Sequence, residues 1–284
     1  MENNKRGTLY LVGTPIGNLD DMTFRAVKIL EEVELIAAED TRHTRQLMAH
    51  FNIHTSLTSY HEHNKFIKGP KLIEKLLGGT DIAVVSDAGL PGIADPGSNL
   101  VELAIKENIK VSPIPGANAG LSALISSGLD TVQFSFVGFL PKKAMKRREV
   151  LAEVKKRRDT LIFYETPHRL TSILPELIDS LGSERRITVC RELTKKFEQF
   201  VRGTLEEINE YFSSVEPRGE FVLIVEGCNT DAVDSAVKDM LPEEYVRNLI
   251  SEGMVKKEAI KKAAKDLHLS RRDVYNAVLK ADQE

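Results

Sequence analysis

Two short polar clusters hold the side chains best suited to proton transfer and anion binding. In AAEDTRHTRQL (37–47), Glu39 and Asp40 close an apolar run, and Arg42 and Arg45 follow one turn apart at the start of a helix. In SYHEHN (59–64), His61 and His63 flank Glu62. Histidine exchanges a proton near neutral pH without needing a pKa shift. Arginine offers phosphate a planar, bidentate donor set. Histidines in alternate positions share a face only in an extended segment, and no third ligand accompanies them. The pattern therefore favours general-base or phosphate-contacting chemistry, and no metal is expected. A third cluster, YETPHRL (164–170), sets Glu165 after an apolar run and His168 and Arg169 at a helix start marked by Pro167. Glu165 there is either a packing-related capping residue or a pocket acid.

These clusters need loops to hold a ligand near them. The segment VVSDAGLPGIADPGSNL (84–100) leaves a buried-strand run and carries glycines at 89, 92 and 97 and prolines at 91 and 96. Glycine lets the backbone approach a ligand closely, and proline keeps the loop rigid. Asp87 is placed to accept hydrogen bonds from an amino group or a ribose hydroxyl. Ser98 is the expected N-cap of the next helix. Ligands bind open α/β sheets at such carboxyl-end loops. A second loop, GTPIGNLDD (13–21), is neither GxGxxG nor GxxxxGK[ST], which excludes a Rossmann dinucleotide fingerprint and a P-loop. In PIPGANAGLSAL (113–124), small residues either leave room for a flat ligand or allow close helix–sheet packing.

The elements that must position these groups follow from periodicity. Apolar runs at 9–12, 35–38, 82–85, 111–114, 134–139, 161–164, 187–189 and 221–225 read as strands, with a further late strand at 197–201. Helical patterns at 23–33, 72–77, 100–106 and 171–181 alternate with them. The expectation is an α/β fold with largely parallel sheets, the later one mixed. Domain limits are expected at 1–116, 117–228 and 240–284, the last all-helical, with helices near 243–251, 257–266 and 271–280. KEAIKKAAKDLHLSRRDVYNAVL has a helix-turn-helix pattern, anchored by Ile260, Ala263, Ala264, Leu267, Val274 and Val278. The 284 residues carry a net charge of −3. Residues 142–158 nonetheless hold +7 and residues 256–272 hold +5, leaving −15 on the remainder. Two cationic runs on an acidic background point to a polyanion. Two cysteines without a CxxC pair argue against a disulfide framework or structural zinc. No secretory signal or membrane span is expected, and a cytoplasmic location is.

The motifs TPIGNL (14–19), AEDTRHTRQL (38–47), SYHEHN (59–64), SDAGLPGIADPG (86–97), PIPGANA (113–119), GFLPKK (138–143), FYETPHR (163–169), CREL (190–193) and VLIVEG (222–227) resemble those of the ribosomal RNA small subunit methyltransferase I group of the tetrapyrrole methylase superfamily. The resemblance covers roughly residues 7–228. It implies two α/β domains of the tetrapyrrole methylase type with a cofactor cleft between them, plus a small C-terminal helical module. It implies a homodimer that transfers a methyl group from S-adenosylmethionine to the ribose 2′-hydroxyl of a cytidine in the decoding region of 16S rRNA. The substrate would be 16S rRNA or the small ribosomal subunit.

Position by position, the resemblance assigns cofactor contacts to Pro15, Asp87, Ala88, Gly89, Ile93, Ala94, Pro115, Ala119, Phe163, Tyr164 and Glu165, with Glu226 and Gly227 as further candidates. For such a reaction the candidates to take the hydroxyl proton are His61, Glu62, Glu39, Asp40 and Glu165, with His61 slightly favoured. Arg42, Arg45, Lys142, Lys143, Arg147, Arg148 and Arg169 would grip phosphates. The competing readings are a methyltransferase of the same superfamily acting on a tetrapyrrole or a diphthine-type residue, and a DNA-binding regulator whose α/β part senses a ligand. Neither a tetrapyrrole nor a modified histidine gives an evident reason for two basic segments. The candidate recognition helix, 271–280, also carries the acidic Asp273.

Overall fold

The computed structural model describes residues 6–93, 95, 97–228, 240–251, 254–267 and 269–281. Strands β1 (Thr8–Val12), β2 (Leu35–Ala38), β3 (Ser56–Ser59), β4 (Ile82–Val85) and β5 (Lys110–Ile114) form one sheet in the order β3-β2-β4-β1-β5. Every pairing in it is parallel. Parallel neighbours need crossovers, supplied here by α1 (Phe24–Glu32), α2 (Thr41–His50), α3 (Lys65–Leu77) and α4 (Gly97–Lys106). Alternate side chains go to opposite faces. Leu9, Ala37, Ile82 and Val84 pack with α3 and α4, whereas Ile36, Ala38, Ala83 and Val85 pack with α1 and α2. Burial on both faces explains why β2 and β4 are apolar throughout.

From β5 the chain passes through α5 (Ala119–Ser127) into a second sheet, made of β6 (Phe134–Phe139), β7 (Thr160–Glu165), β8 (Arg186–Arg191), β9 (Gln199–Thr204) and β10 (Phe221–Val225). Its order is β6-β7-β10-β8-β9. β6 and β7 are parallel, while β10 runs antiparallel to both β7 and β8, and β9 antiparallel to β8. α5 packs on one face, with Ala123 and Leu124 against Ile162, Val222 and Ile224. The other face carries α6 (Ala144–Val154), α7 (Pro167–Leu181) and α8 (Leu205–Ser214), whose Leu151, Leu174 and Ile208 meet Leu161, Phe163 and Leu223. The expected α/β class, with a parallel sheet followed by a mixed one, is the class observed.

One irregularity aims a side chain. Phe136 pairs with Ile162, but Gly138, not Val137, pairs with Phe163, so Val137 is an extra residue. Gly138 has φ +73, a left-handed value that suits glycine. Without the bulge, Phe139 would face away from Phe136. With it, Phe139 pairs with Tyr164 and joins Phe136 on the α5 side of the sheet. Both rings meet Tyr164 edge to face, at centroid distances of 5.0 and 5.5 Å.

Residues 1–226 form one compact unit that holds both sheets, and residues 227–284 form another. The second unit contains α9 (Pro242–Ser251), α10 (Lys256–Asp266) and α11 (Arg271–Ala281) around Val246, Leu249, Ala259, Ala263, Val274 and Val278. Among the described residues no helix is long and apolar enough to cross a membrane.

Candidate active site

The loops after β1, β4 and β5 meet at the carboxyl end of the first sheet. Thr14 and Gly89 exchange both backbone hydrogen bonds, at 2.9 and 3.1 Å. A Cβ added to Gly116 would lie 2.9 Å from Gly13 Cα, so these loops touch backbone to backbone. The Asp95 carboxylate accepts from the N–H groups of Gly92 and Gly97, both at 2.8 Å. It therefore closes the loop onto the first turn of α4. The helix begins at Gly97, so Ser98 lies inside it and is not the expected cap.

A cavity of about 450 Å³ opens beside these loops. Ile16, Gly89 and Ile93 line it from the first half of the unit, and Ala119, Tyr164, Cys190 and Val222 from the second. Glu39, Asp87, Asp95 and Glu165 also line it, so the cavity combines apolar surface with a set of carboxyls. Asp87 Oδ1 accepts from the Asp40 N–H at 2.9 Å, and Glu39 Oε2 accepts from the Asp87 N–H at 3.4 Å. Burial, and then the Asp87 charge, push the Glu39 pKa up. Burial likewise raises Asp95 and Glu165. The Cys190 thiol is pushed up to about 12 by burial, so it stays neutral and serves as apolar wall.

The expected site residues separate clearly. Asp87, Ala88, Gly89, Ile93, Ala119, Tyr164 and Glu165 line the cavity. Pro15 and Pro115 belong to the converging loops but do not line it, and Ala94 lies outside the described residues. The Phe163 side chain is 1% exposed and packs in the core on the opposite sheet face, so it does not line the cavity. Glu226 does not line the cavity either, because β10 runs antiparallel to β7 and its first residues, not its last, reach it. Glu226 instead pairs with Arg186 at 2.6 Å.

Of the candidate proton acceptors, Glu39 and Glu165 line the cavity. Asp40 caps α2 and is forked by Arg42, which holds its carboxyl well below the usual range. Glu62 pairs with Lys65 at 2.6 Å. Asn64 Oδ1 accepts from the His61 N–H at 2.9 Å, which turns its Nδ2 toward His61 Nε2 at 3.1 Å. That contact occupies the ring nitrogen and leaves Nδ1 buried without a partner. Among the cations, Arg45, Lys142, Lys143 and Arg148 are exposed, whereas Arg147 and Arg169 turn inward. Among the described residues no group of three or more His, Cys, Asp or Glu side chains could hold a metal.

The family model described as Tetrapyrrole (Corrin/Porphyrin) Methylases matches residues 8–209, a span that takes in the whole first sheet and β6 to β9 of the second and ends within α8. The chain belongs to the tetrapyrrole methylase family. It is 51% identical to the ribosomal RNA small subunit methyltransferase I of Halalkalibacterium halodurans, over 97% of this chain and 96% of that one. It is 50% identical to the protein of the same name from Bacillus subtilis, over 95% and 94%. Two solved structures share the fold. Uroporphyrin-III-C-methyltransferase from Thermus thermophilus aligns with a TM-score of 0.56 at 19% identity, covering 77% of this chain and 94% of that one. A diphthine synthase aligns at 0.61 and 14%, covering 78% and 90%.

For a tetrapyrrole methylase, the cavity residues missing from the sequence reading are instructive. Ile16, Asp95, Asn118, Phe139, Cys190, Leu193, Glu220 and Val222 were not expected to line it. Most are apolar, and an apolar residue at a strand end reads as core until the neighbouring chain is seen to leave a gap. Asp95 carried a usable signal, an acid inside a glycine- and proline-rich loop.

Proposed function

We propose that this tetrapyrrole methylase uses S-adenosylmethionine to methylate the ribose 2′-hydroxyl of a cytidine in the decoding region of 16S ribosomal RNA. We further infer that it does so in the cytoplasm, as a homodimer, on the rRNA or the small ribosomal subunit. The observation that carries the reading is 51% identity over 97% of the chain to a protein named ribosomal RNA small subunit methyltransferase I.

The cavity fits the donor. Its volume lies within the range of small-molecule sites, roughly 300–1,000 Å³. Cys190, Leu193 and Val222 offer an apolar wall for a flat ring, and Asp87, with Glu39 and Asp95, offers negative charge to a cationic ligand. When bound, S-adenosylmethionine supplies a methyl group already activated as a sulfonium. The protein's own work is alignment, exclusion of water and handling of one proton. Glu39 is the group assigned to receive the ribose proton. Its raised pKa makes it a stronger base than an exposed carboxylate once it is ionised.

The decisive experiment supplies labelled S-adenosylmethionine with small subunits, free 16S rRNA or porphyrin-like acceptors. Label in a cytidine 2′-O-methyl of 16S rRNA is the expected result. Label in the tetrapyrrole alone overturns the reading.

The C-terminal unit carries a second cationic surface. Lys257, Lys261 and Lys265 recur every fourth residue and share one exposed face of α10. Among the described residues, no ion pair engages these three, in contrast to Lys65–Glu62 and Lys106–Glu102. We assign this face to RNA phosphates. Converting the three lysines to Gln is expected to flatten the salt dependence of subunit binding, by about 0.7–0.9 in log–log slope per lost contact. Filter binding between low and moderate salt reads this slope. An unchanged slope removes the unit from the RNA interface, and donor affinity should not move.

A further inference from the structure

Three successive carbonyls in the β6–α6 connection accept hydrogen bonds from arginine side chains on neighbouring helices. Arg169 Nη2 donates to Leu140 O at 2.9 Å. Arg147 Nη1 donates to Pro141 O and to Lys142 O, each at 3.0 Å. Arg147 is itself held by Glu176 on α7, through Nε at 2.7 Å and Nη2 at 2.5 Å. Four of its five N–H donors are thus used inside the protein. Its side chain is 12% exposed. Arg169 also lies 3.5 Å from the buried carboxylate of Glu165, which lines the cavity.

The clamped connection has a function-bearing group at each end. Phe139, immediately before it, is a wall of the cavity. Lys142 and Lys143, at its far end, are exposed. We propose that Arg147 and Arg169 are positioning residues for the RNA substrate. They hold the 140–143 connection in one conformation, so that its two lysines meet phosphate at a fixed place relative to the cavity wall. This assignment rests on the RNA reading above, and it replaces a direct phosphate grip by Arg147 and Arg169. The physical gain is preorganisation: a segment ordered before binding loses less freedom when the substrate arrives.

Electrostatics and the clamp predict opposite signs for one variant, which makes the test sharp. Glu176→Gln removes a negative charge near the basic segment, so a simple charge effect would tighten RNA binding. A freed Arg147 would tighten it too. The clamp predicts the reverse: Glu176→Gln and Arg147→Gln each raise KM for small subunits by about tenfold. The expected changes in kcat and in donor Kd are within about threefold, because neither residue lines the cavity. The double variant should be no worse than the more damaging single, since both break one fork. Arg147→Lys should fail to restore KM, because an ammonium cannot reproduce the planar fork.

Limited trypsin digestion gives a readout that needs no RNA. Cleavage after Lys142 and Lys143 should accelerate in both single variants and also in Arg169→Gln. An unchanged or lowered KM in Glu176→Gln, additive effects in the double variant, or cleavage no faster than wild type would each overturn the proposal. If wild-type protein transfers no methyl to subunits, the functional reading falls, while the digestion still decides the clamp. A variant that does not fold is replaced by Arg147→Lys, which keeps the charge and part of the hydrogen bonding and should shift KM and cleavage in the same direction.

Discussion

Replacing Glu39 by Gln is expected to slow methyl transfer by about 10²–10⁴-fold, the usual contribution of a positioned base. Donor affinity should fall far less than the rate, since the amide keeps an oxygen to accept the Asp87 N–H and the Asp87 and Asp95 carboxyls still line the cavity. The pH dependence gives the sharper test. Burial and the Asp87 charge raise the Glu39 pKa above its ordinary 4.5. The group must be ionised to accept a proton, so kcat should rise with pH through a midpoint above 4.5 and then level off. Glu39→Gln should lose that ascending limb. Stability should move the other way. A carboxyl raised in the folded state contributes its stability while protonated, and that contribution is lost as pH rises through the folded pKa. The Gln variant should therefore melt slightly higher than wild type near neutral pH, because it carries no buried charge beside Asp87. Single-turnover rates over a pH series, with melting curves in the same buffers, check both statements. A Gln variant that keeps the limb would shift the proton to another acceptor. His61 would then have to break its contact with Asn64 to serve.

The loops and the acids are legible in the sequence because their signals are local. Glycines at 89 and 92 adopt φ +79 and +93, values that side-chain-bearing residues rarely take, and such needs are visible in residue type alone. Strand β3, SLTS, escaped because an edge strand with polar residues makes no apolar run. Helix α8 had a readable start in Thr204 and Glu207, which form a capping box, yet its apolar face was too short to stand out. The place of Glu226 away from the cavity was hidden for a different reason. A buried strand reads the same in either direction, so nothing in VLIVEG told which end of β10 reaches the cavity. Arg147 lies in a run of cations that suggested an outward surface, and its partner Glu176 is 29 residues away. Pairings of that kind are set by tertiary contact and leave no local trace.

The convergence of loops at Gly13 and Gly116 supplies the second large expected effect. A Cβ on Gly116 would sit 2.9, 3.0 and 3.1 Å from the Cα, C and O of Gly13. These are backbone atoms, so Gly116→Ala cannot be accommodated by turning a side chain. The β1 and β5 loops must move apart, and Thr14, next to Gly13, carries the hydrogen bonds to Gly89 at the cavity wall. The expected cost is about 1–3 kcal/mol of stability, as for other overpacked sites. Donor affinity should fall by about tenfold or more, which corresponds to roughly 1.4 kcal/mol. Gly128→Ala separates these two effects. Gly128 has φ +81 at the end of α5, and nothing lies within 4 Å of an added Cβ. Alanine there should lose about 1–2 kcal/mol through left-handed strain alone, with donor affinity within about twofold of wild type. Thermal melts and calorimetric titration of S-adenosylmethionine give the comparison. Matched losses of stability with unmatched losses of affinity would tie the donor site to the contact between the two loops. Equal affinities in the two variants would mean that the cavity keeps its shape without that contact, and the donor site would then have to be built chiefly by the second sheet.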